Sequence, residues 1–226
     1  RPAAFWFHRT AKKMFTDILK RPYDDGVTFD VTSIAAENIK IGSVYVGIII
    51  KLRAKLEQAI KTIQIDIGFG DVIIPKPIKM AFPTILDEAA PKIGVYSKES
   101  IISEKFEAMI KLSTINSRFK DFYDIYALSE AYSFDGRVLK SAMEATFKRR
   151  KTALSSRPLI FGPDFAKDAN RQRQWLAFLR KSKMAMTMDF ETVMAKISIF
   201  LRPVVTAIAT RQEMPIHWDH THKIWT

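Results

Sequence analysis

Residues 63–71, which read IQIDIGFGD, decide how the first part of the chain folds. Successive side chains of a strand lie on opposite faces, so the isoleucines and Phe69 share one face. Gln64, Asp66 and two glycines share the other face. The apolar face predicts burial in a core, and the glycines beside Asp66 leave the backbone open to the close approach of a ligand.

Asp66 is the chemically informative residue of this strand. Magnesium-dependent phosphoryl and nucleotidyl transferases hold their metal ions with carboxylates on such strands. An acidic residue that only faces solvent on an amphipathic strand produces the same pattern. We therefore treat Asp66 as a candidate metal-binding and catalytic residue, with the solvent-facing interpretation left open.

The regions around this strand predict an α+β chain. Residues 4–20 have the periodicity of a helix, and Val27–Val31 alternate like a strand. Two β-rich runs, 41–53 and 59–69, are separated by residues 54–58, which predicts an antiparallel pair. The first part of the chain is therefore expected to form a sheet with one helix.

Beyond this sheet, four prolines between residues 75 and 91 mark a long irregular connector. Helical periodicity follows, with Ser97 and Asp135 as predicted N-caps. We place the domain boundary near residue 90, between a sheet-containing domain over 1–90 and a helical domain over 91–226. The predicted helices cover residues 98–112, 119–131, 136–150, 166–182 and 189–201.

Composition narrows the class of protein. The chain has no cysteine, which excludes disulfides and cysteine-ligated zinc. No uninterrupted apolar run approaches the roughly 20 residues of a membrane span. The chain begins at Arg1 rather than at a methionine, so a removed leader stays open. A cytoplasmic location and no membrane partner are the expectations.

Positive charge is concentrated in the second part of the chain. The net charge is +12, and residues 137–226 hold 17 basic and 7 acidic residues. Such an excess favours a polyanionic partner, most often nucleic acid. A solvated cationic helix face, or a docking surface for an acidic protein, are the alternatives. The candidate RNA-binding residues are Lys148, Arg149, Arg150, Lys151, Arg171 and Arg173.

Residues 116–126, which read NSRFKDFYDIY, place charges on a helix that is apolar nearly all round. Charges at one end of such a helix need partners, because isolated burial is costly. Lys120 can pair with Asp124 at i,i+4, and Arg118 with Asp121 at i,i+3. The alternative is a site where Lys120 or Arg118 meets phosphate and the acids orient it.

Lys105 stands on the apolar stripe of the preceding predicted helix. A lysine in this position either extends its amine to water or reaches into a cleft. The pattern does not separate the two interpretations.

The order and spacing of several strings resemble the AbiEii/AbiGii family of nucleotidyltransferase toxins. The resemblance covers roughly residues 15–205. Taken together the strings are more specific than any one of them. They are DDGV at 24–27, IDIGFGD at 65–71, FPTILD at 82–87, SEKFEAM at 103–109, NSRFKDFYD at 116–124, ATFKRR at 145–150 and QWLAFL at 174–179.

This resemblance implies a polymerase-β-like nucleotidyltransferase domain, here the remnant of its mixed sheet, followed by a C-terminal helical domain. It implies a toxin of type IV toxin–antitoxin and phage-defence systems that uses a nucleoside triphosphate with Mg²⁺. Related toxins add nucleotides to tRNA, and a cognate antitoxin is a possible partner. Carried over by position, Asp66 is the third carboxylate of the metal site.

The helical-domain motifs of the family face the nucleotide. Lys105, Lys120, Asp121 and Asp124 match them by position, and Arg118 joins Lys105 and Lys120 as a candidate nucleotide-binding residue. Lys120, Asp121 and Asp124 are also carried over as candidate catalytic residues beside Asp66.

One family motif has no counterpart in the sequence. A Gly-Ser or Gly-Gly turn followed by an acidic pair is expected upstream of residue 1, and Gly42-Ser43 is not followed by an acidic pair. A two-metal site needs several carboxylates. The alternative function is therefore a catalytically inactive fragment, or a module that binds RNA or a partner without turnover.

Residues 217–222, which read HWDHTH, place three histidines and one acid close together. Such a run can bind a transition metal. Its terminal position instead predicts disorder, which we favour.

Overall fold

The computed structural model describes residues 2–21, 23–39, 47–85, 87–184, 187–214 and 216–226, with side chains from residue 9 onward. The chain divides into two compact units, Arg1–Asp71 and Val72–Thr226. Helices and small antiparallel sheets make up both, so the α+β prediction is confirmed.

The first unit consists of one helix and a three-stranded sheet. Strands β1, β2 and β3 lie in that order and pair antiparallel. The predicted hairpin is confirmed, but its turn is shorter than residues 54–58, because pairing continues to Leu56↔Ala59. Residues 41–46 of the first predicted run, with Gly42-Ser43, lie outside the described residues. The bounds are α1 Pro2–Leu19, β1 Val27–Asn38, β2 Gly47–Leu56 and β3 Ala59–Gly68.

Alternation along the strands builds the core of this unit. Ile48, Ile50 and Leu52 of the central strand β2 are buried. Register pairs them with alternate residues of β3, so the apolar residues of both strands share one face. The predicted core face of residues 63–69 is confirmed. The β3-side residues packed against this core are Ile63, Ile65, Ile67 and Phe69.

The second unit begins with a hairpin inside the predicted irregular connector. Strand β4, Ile78–Ala81, pairs with β5, Lys92–Val95, in the register Ile78↔Val95 and Met80↔Ile93. The proline signals marked the loop between the two strands and hid the alternation in them. The hairpin spans residue 90, and segment 72–90 groups with the helices rather than with the first sheet.

Six helices of the described chain follow, and the first three match the predicted ranges. Ser97 accepts a hydrogen bond from Ser100 N, and Asp135 accepts from Arg137 N and Val138 N, so both predicted N-caps are confirmed. The helices are α2 Lys98–Leu112, α3 Phe119–Ala131, α4 Gly136–Arg150, α5 Pro163–Lys167, α6 Ala169–Lys181 and α7 Phe190–Thr210.

The predicted helix 166–182 is divided at Asp168. This residue is non-helical at φ −58° and ψ 118°, and its carboxylate accepts a hydrogen bond from Arg171 N. A side-chain acceptor at the first turn is the usual start of a helix. Two shorter helices, α5 and α6, therefore replace the single predicted one.

Helix α7 is longer than the predicted 189–201 and passes through Pro203. Proline removes one helical hydrogen bond at a cost of about 3 kcal/mol. Burial of Val204, Val205 and Ala207 beyond the proline offsets that cost. Within the described residues α7 alone has the length and apolar composition of a membrane span, and its core-facing residues pack inside the helical unit.

The C-terminal segment is ordered, so the prediction of disorder is wrong. Strands β6, Phe134–Asp135, β7, His217–Asp219, and β8, Ile224–Trp225, form a small antiparallel sheet. Trp218 is 2% exposed and its Nε1 donates to the backbone oxygen of Ser129 at 2.9 Å. Aromatic packing outweighs terminal fraying here.

The histidines of this segment have local partners. His222 Nδ1 lies 2.6 Å from Asp219 Oδ2, and His220 Nδ1 lies 2.9 Å from Ser133 Oγ. The hydrogen bond to His222, with two backbone N–H groups, lowers the pKa of Asp219. Over the described ranges, no cluster of histidines and acids has the arrangement of a metal site.

Replacing Trp218 with alanine is expected to lower the free energy of unfolding by about 3–5 kcal/mol, because it removes a fully packed indole. Ile224→Ala, in the neighbouring strand, removes a side chain that is 50% exposed and is expected to cost under about 1 kcal/mol. Urea unfolding followed by circular dichroism measures both. Equal losses in the two variants would contradict this anchoring role.

Candidate functional site

Asp66 lies on the exposed face of β3, as the alternation predicts. Gln64 Nε2 donates to Asp66 Oδ1 at 2.9 Å. Two ion pairs occupy the same side of the sheet, Arg53–Asp30 at 2.7 Å and Lys51–Glu37 at 3.0 Å. Asp66 itself forms no salt bridge with any described residue, so its carboxylate is not neutralised.

The donor chemistry of Asp66 fits one ligand of a magnesium ion. Mg²⁺ prefers oxygen and is usually bound through one or two carboxylates together with substrate phosphates. Oδ2 of Asp66 accepts no hydrogen bond from the described part of the chain. The strand therefore offers a hard oxygen donor, and the metal-binding role stays a prediction.

In the helical unit, Lys105 joins α2 to α3. Its Nζ lies 2.9 Å from Asp121 Oδ1 and 2.7 Å from Asp124 Oδ2. The i,i+3 spacing of the two acids places both on the side of α3 that faces α2. Lys105 therefore reaches neighbouring carboxylates rather than open solvent.

Arg118 and Lys120 form an outer layer around this pair. Arg118 Nε lies 2.8 Å from Asp121 Oδ2, and Lys120 Nζ lies 2.7 Å from Asp124 Oδ2, so both predicted local pairs are confirmed. The Asp121 side chain is 4% exposed, against 54% for Arg118 and 69% for Lys120. The five residues, which we call the Lys105 network, run from buried acids to exposed cations.

Electrostatics keep Lys105 charged. Burial acts to lower its pKa, but hydrogen bonds to Asp124 and Asp121 and their negative charges outweigh it, so the pKa is raised. Lys105 is therefore a fixed cation and not a proton acceptor. Asp121 lies between two cations, and its Oδ2 is at ion-pair distance from Arg118 without the direction of a hydrogen bond.

A second ionic cluster joins α2 to α4. Arg150 Nη2 lies 3.1 Å from Glu104 Oε2, and its Nη1 lies 3.0 Å from Glu107 Oε2. Thr152 donates its hydroxyl to Glu107. Sequence reasoning missed this cluster, although Glu104 and Glu107 at i,i+3 on one helix face were a signal for a cationic neighbour.

Two of the predicted RNA-binding residues are engaged inside the helical unit. Arg150 is held by the α2 glutamates. Arg171 is 9% exposed, and its Nη2 donates to Thr114 O at 2.6 Å. Neither side chain belongs to the open surface that the charge run suggested, because a run of charges does not tell which member is buried. The other predicted residues are exposed: Lys148, Arg149, Lys151 and Arg173.

The comparison with protein families decides the relationship of this chain. The family model of the nucleotidyl transferase AbiEii toxin, type IV TA system, matches residues 7–196. The chain belongs to the AbiEii family. The match contains Asp66 and all of the Lys105 network. No curated protein and no solved structure matches the chain.

Membership in AbiEii makes the protein a nucleotidyltransferase of the toxin type. The network of fixed cations suits that chemistry, because guanidinium and ammonium groups bind phosphate oxygens through charge-assisted hydrogen bonds. The roles of the individual residues stay predictions.

Lys105→Met is expected to lower the free energy of unfolding by about 3 kcal/mol, because it leaves buried Asp121 without its inner partner. Since the folded-state pKa of Lys105 is raised, this contribution is complete below its ordinary pKa of 10.5 and is lost as the pH rises through the folded value. Lys111→Met, an exposed lysine of the same helix, is the control. A deficit that persists unchanged in strong alkali would refute the ionic explanation.

Proposed function

We propose that this AbiEii protein transfers a nucleotide from a nucleoside triphosphate to an RNA acceptor, with tRNA as the leading candidate, in the presence of Mg²⁺. The observation that carries the proposal is the Lys105 network within the family match. Its buried acids hold one inner cation and leave two cations exposed. The cytoplasm is the proposed location.

Nucleotidyl transfer asks for little covalent chemistry from the protein. Catalysis comes from positioning the triphosphate and from stabilising the charge that develops on it. Arg118 and Lys120 are exposed donors whose positions are set by Asp121 and Asp124. We assign Arg118 and Lys120 to phosphate contact, and Lys105, Asp121 and Asp124 to positioning those cations.

Asp66 is the proposed magnesium ligand. When bound, the ion would neutralise charge on the phosphate oxygens of the nucleotide. The unneutralised carboxylate of Asp66 on an exposed strand face supports this assignment. In this scheme Gln64 orients the carboxylate through its hydrogen bond.

Asp66→Asn is expected to reduce transfer of labelled nucleotide to tRNA by more than about 100-fold, because even the outer partners of metal sites cost 10- to 100-fold when mutated. The fold should be unchanged, since the residue is exposed. Asp17→Asn, an exposed acid of α1 with the same chemical change, is the control.

The outcome also separates the two candidate functions. Full transfer by Asp66→Asn would overturn the metal role. Binding of RNA by the parent without any transfer would favour a non-catalytic binding module, which the basic helical surface also supports.

The exposed basic residues at the end of α4 are the proposed RNA surface. Lys148 and Arg149 lie in the last turn, and Lys151 is the C-cap in the left-handed region at φ 54°. Basic residues also suit the negative end of a helix dipole, which is the alternative explanation. Arg173 of α6 is a further exposed candidate.

The double variant Lys148→Glu/Lys151→Glu is expected to weaken tRNA binding broadly, with little dependence on sequence, because phosphate contacts position rather than specify. The slope of log affinity against log salt should fall by roughly 0.7–0.9 for each phosphate that is no longer neutralised. Filter binding at several salt concentrations measures both. Lys76→Glu/Lys79→Glu, with the same charge change before the helices, is the control, and an equal effect there would contradict this location.

A further inference from the structure

The helical unit contains a groove of ≈ 710 Å³ that includes no residue of the Lys105 network. Its lining comes from the loop after α4, the short helix α5, the first turns of α6 and the middle of α7. Three arginines line it: Arg157, Arg171 and Arg202. A groove of this size is in the usual range for small-ligand sites, about 300–1,000 Å³.

The positive charge of the groove is not neutralised by ion pairs. In the part of the chain that the structure describes, none of the three arginines forms a salt bridge, although Asp164 and Asp168 also line the groove. Asp168 is engaged at the start of α6, where its carboxylate accepts from Arg171 N at 2.7 Å. An anion that enters would therefore meet guanidinium groups that lack a carboxylate partner.

Two of the guanidiniums are held in fixed positions. Arg171 lies 4.0 Å over the ring of Phe165 and donates to Thr114 O, and its buried Nε has no hydrogen-bond partner among the described residues. Arg202 lies 5.4 Å over Phe161 and donates to the backbone oxygen of that residue at 3.1 Å. A guanidinium has five N–H donors, so both retain donors for a ligand.

The remaining lining favours more than a phosphate ion. Leu159 is 72% exposed beside Pro158 and Pro163, which gives the groove an apolar surface of the kind that nucleosides contact. Asp164 is exposed and, within the described residues, has no partner, so it can accept a hydrogen bond from a hydroxyl group. A carboxylate beside arginines suits a ligand that carries both phosphate and sugar hydroxyls.

We propose that this groove binds one nucleotide of an RNA strand, with Arg157 and Arg202 on its phosphate and Asp164 on its ribose. The inference rests on the proposed function, because it places part of the RNA acceptor. Arg171, predicted from the sequence to bind RNA, is then a positioning residue of this subsite and not part of the open surface.

Binding of a fluorescein-labelled hexauridylate to the 226-residue chain, without nucleotide or metal, tests the proposal by fluorescence anisotropy. Arg157→Gln and Arg202→Gln are each expected to weaken binding about tenfold and to lower the salt slope by about 0.7. Arg180→Gln, an exposed arginine at the far end of α6, is the matched control. Within the described chain the Arg157 side chain forms no hydrogen bond or ion pair, so its variant should leave the groove folded.

Two further probes decide the ligand class. Asp164→Asn should reduce the preference for hexauridylate over its deoxy counterpart. Parental affinity and slope in both arginine variants would overturn the site. Competition by uridine monophosphate at the same concentration as hexauridylate would overturn the RNA assignment in favour of a free nucleotide.

Failure of the groove and failure of the proposed function give different results. Loss of hexauridylate binding in the arginine variants, with no nucleotide transfer by the parent, leaves the groove in place and removes the enzyme assignment. Transfer by the parent, with unchanged binding in both arginine variants, removes the groove alone.

Discussion

The ion pair between Lys105 and Asp121 is the interaction on which the helical unit depends. Burying either charge alone is costly, and their attraction offsets this only when the geometry is good. Distances of 2.9 and 2.7 Å to two acids one turn apart meet that requirement. A shift of α3 by one residue would separate them, so the pair fixes the register of α3 against α2.

Helix α2 is held on two sides by ionic groups of opposite sign. Its lysine binds the acids of α3, and its glutamates Glu104 and Glu107 bind Arg150 of α4. The aromatic core lies between these ion pairs, with Phe106 fully buried. Polar specificity and apolar burial therefore act on the same helix, and the exposed cations Arg118 and Lys120 are attached to its most constrained part.

Local periodicity could be read from the sequence, whereas tertiary partners could not. Alternation places Asp66 on an exposed face, and i,i+3 and i,i+4 spacing pairs Arg118 and Lys120 with their acids. Charge alone does not separate Arg150, enclosed by glutamates from another helix, from Arg149 beside it. The continuation of α7 through Pro203 depends on packing that no local pattern contains.

The C-terminal hairpin has a consequence for the order in which the protein can be completed. The indoles of Trp218 and Trp225 donate to backbone oxygens of Ser129 and Phe200, in α3 and α7. These tryptophans are synthesised after both helices, and chains fold from their N-terminal side as they emerge. On the ribosome the helical unit therefore stays open at one end, with α7 exposed, until its final residues arrive.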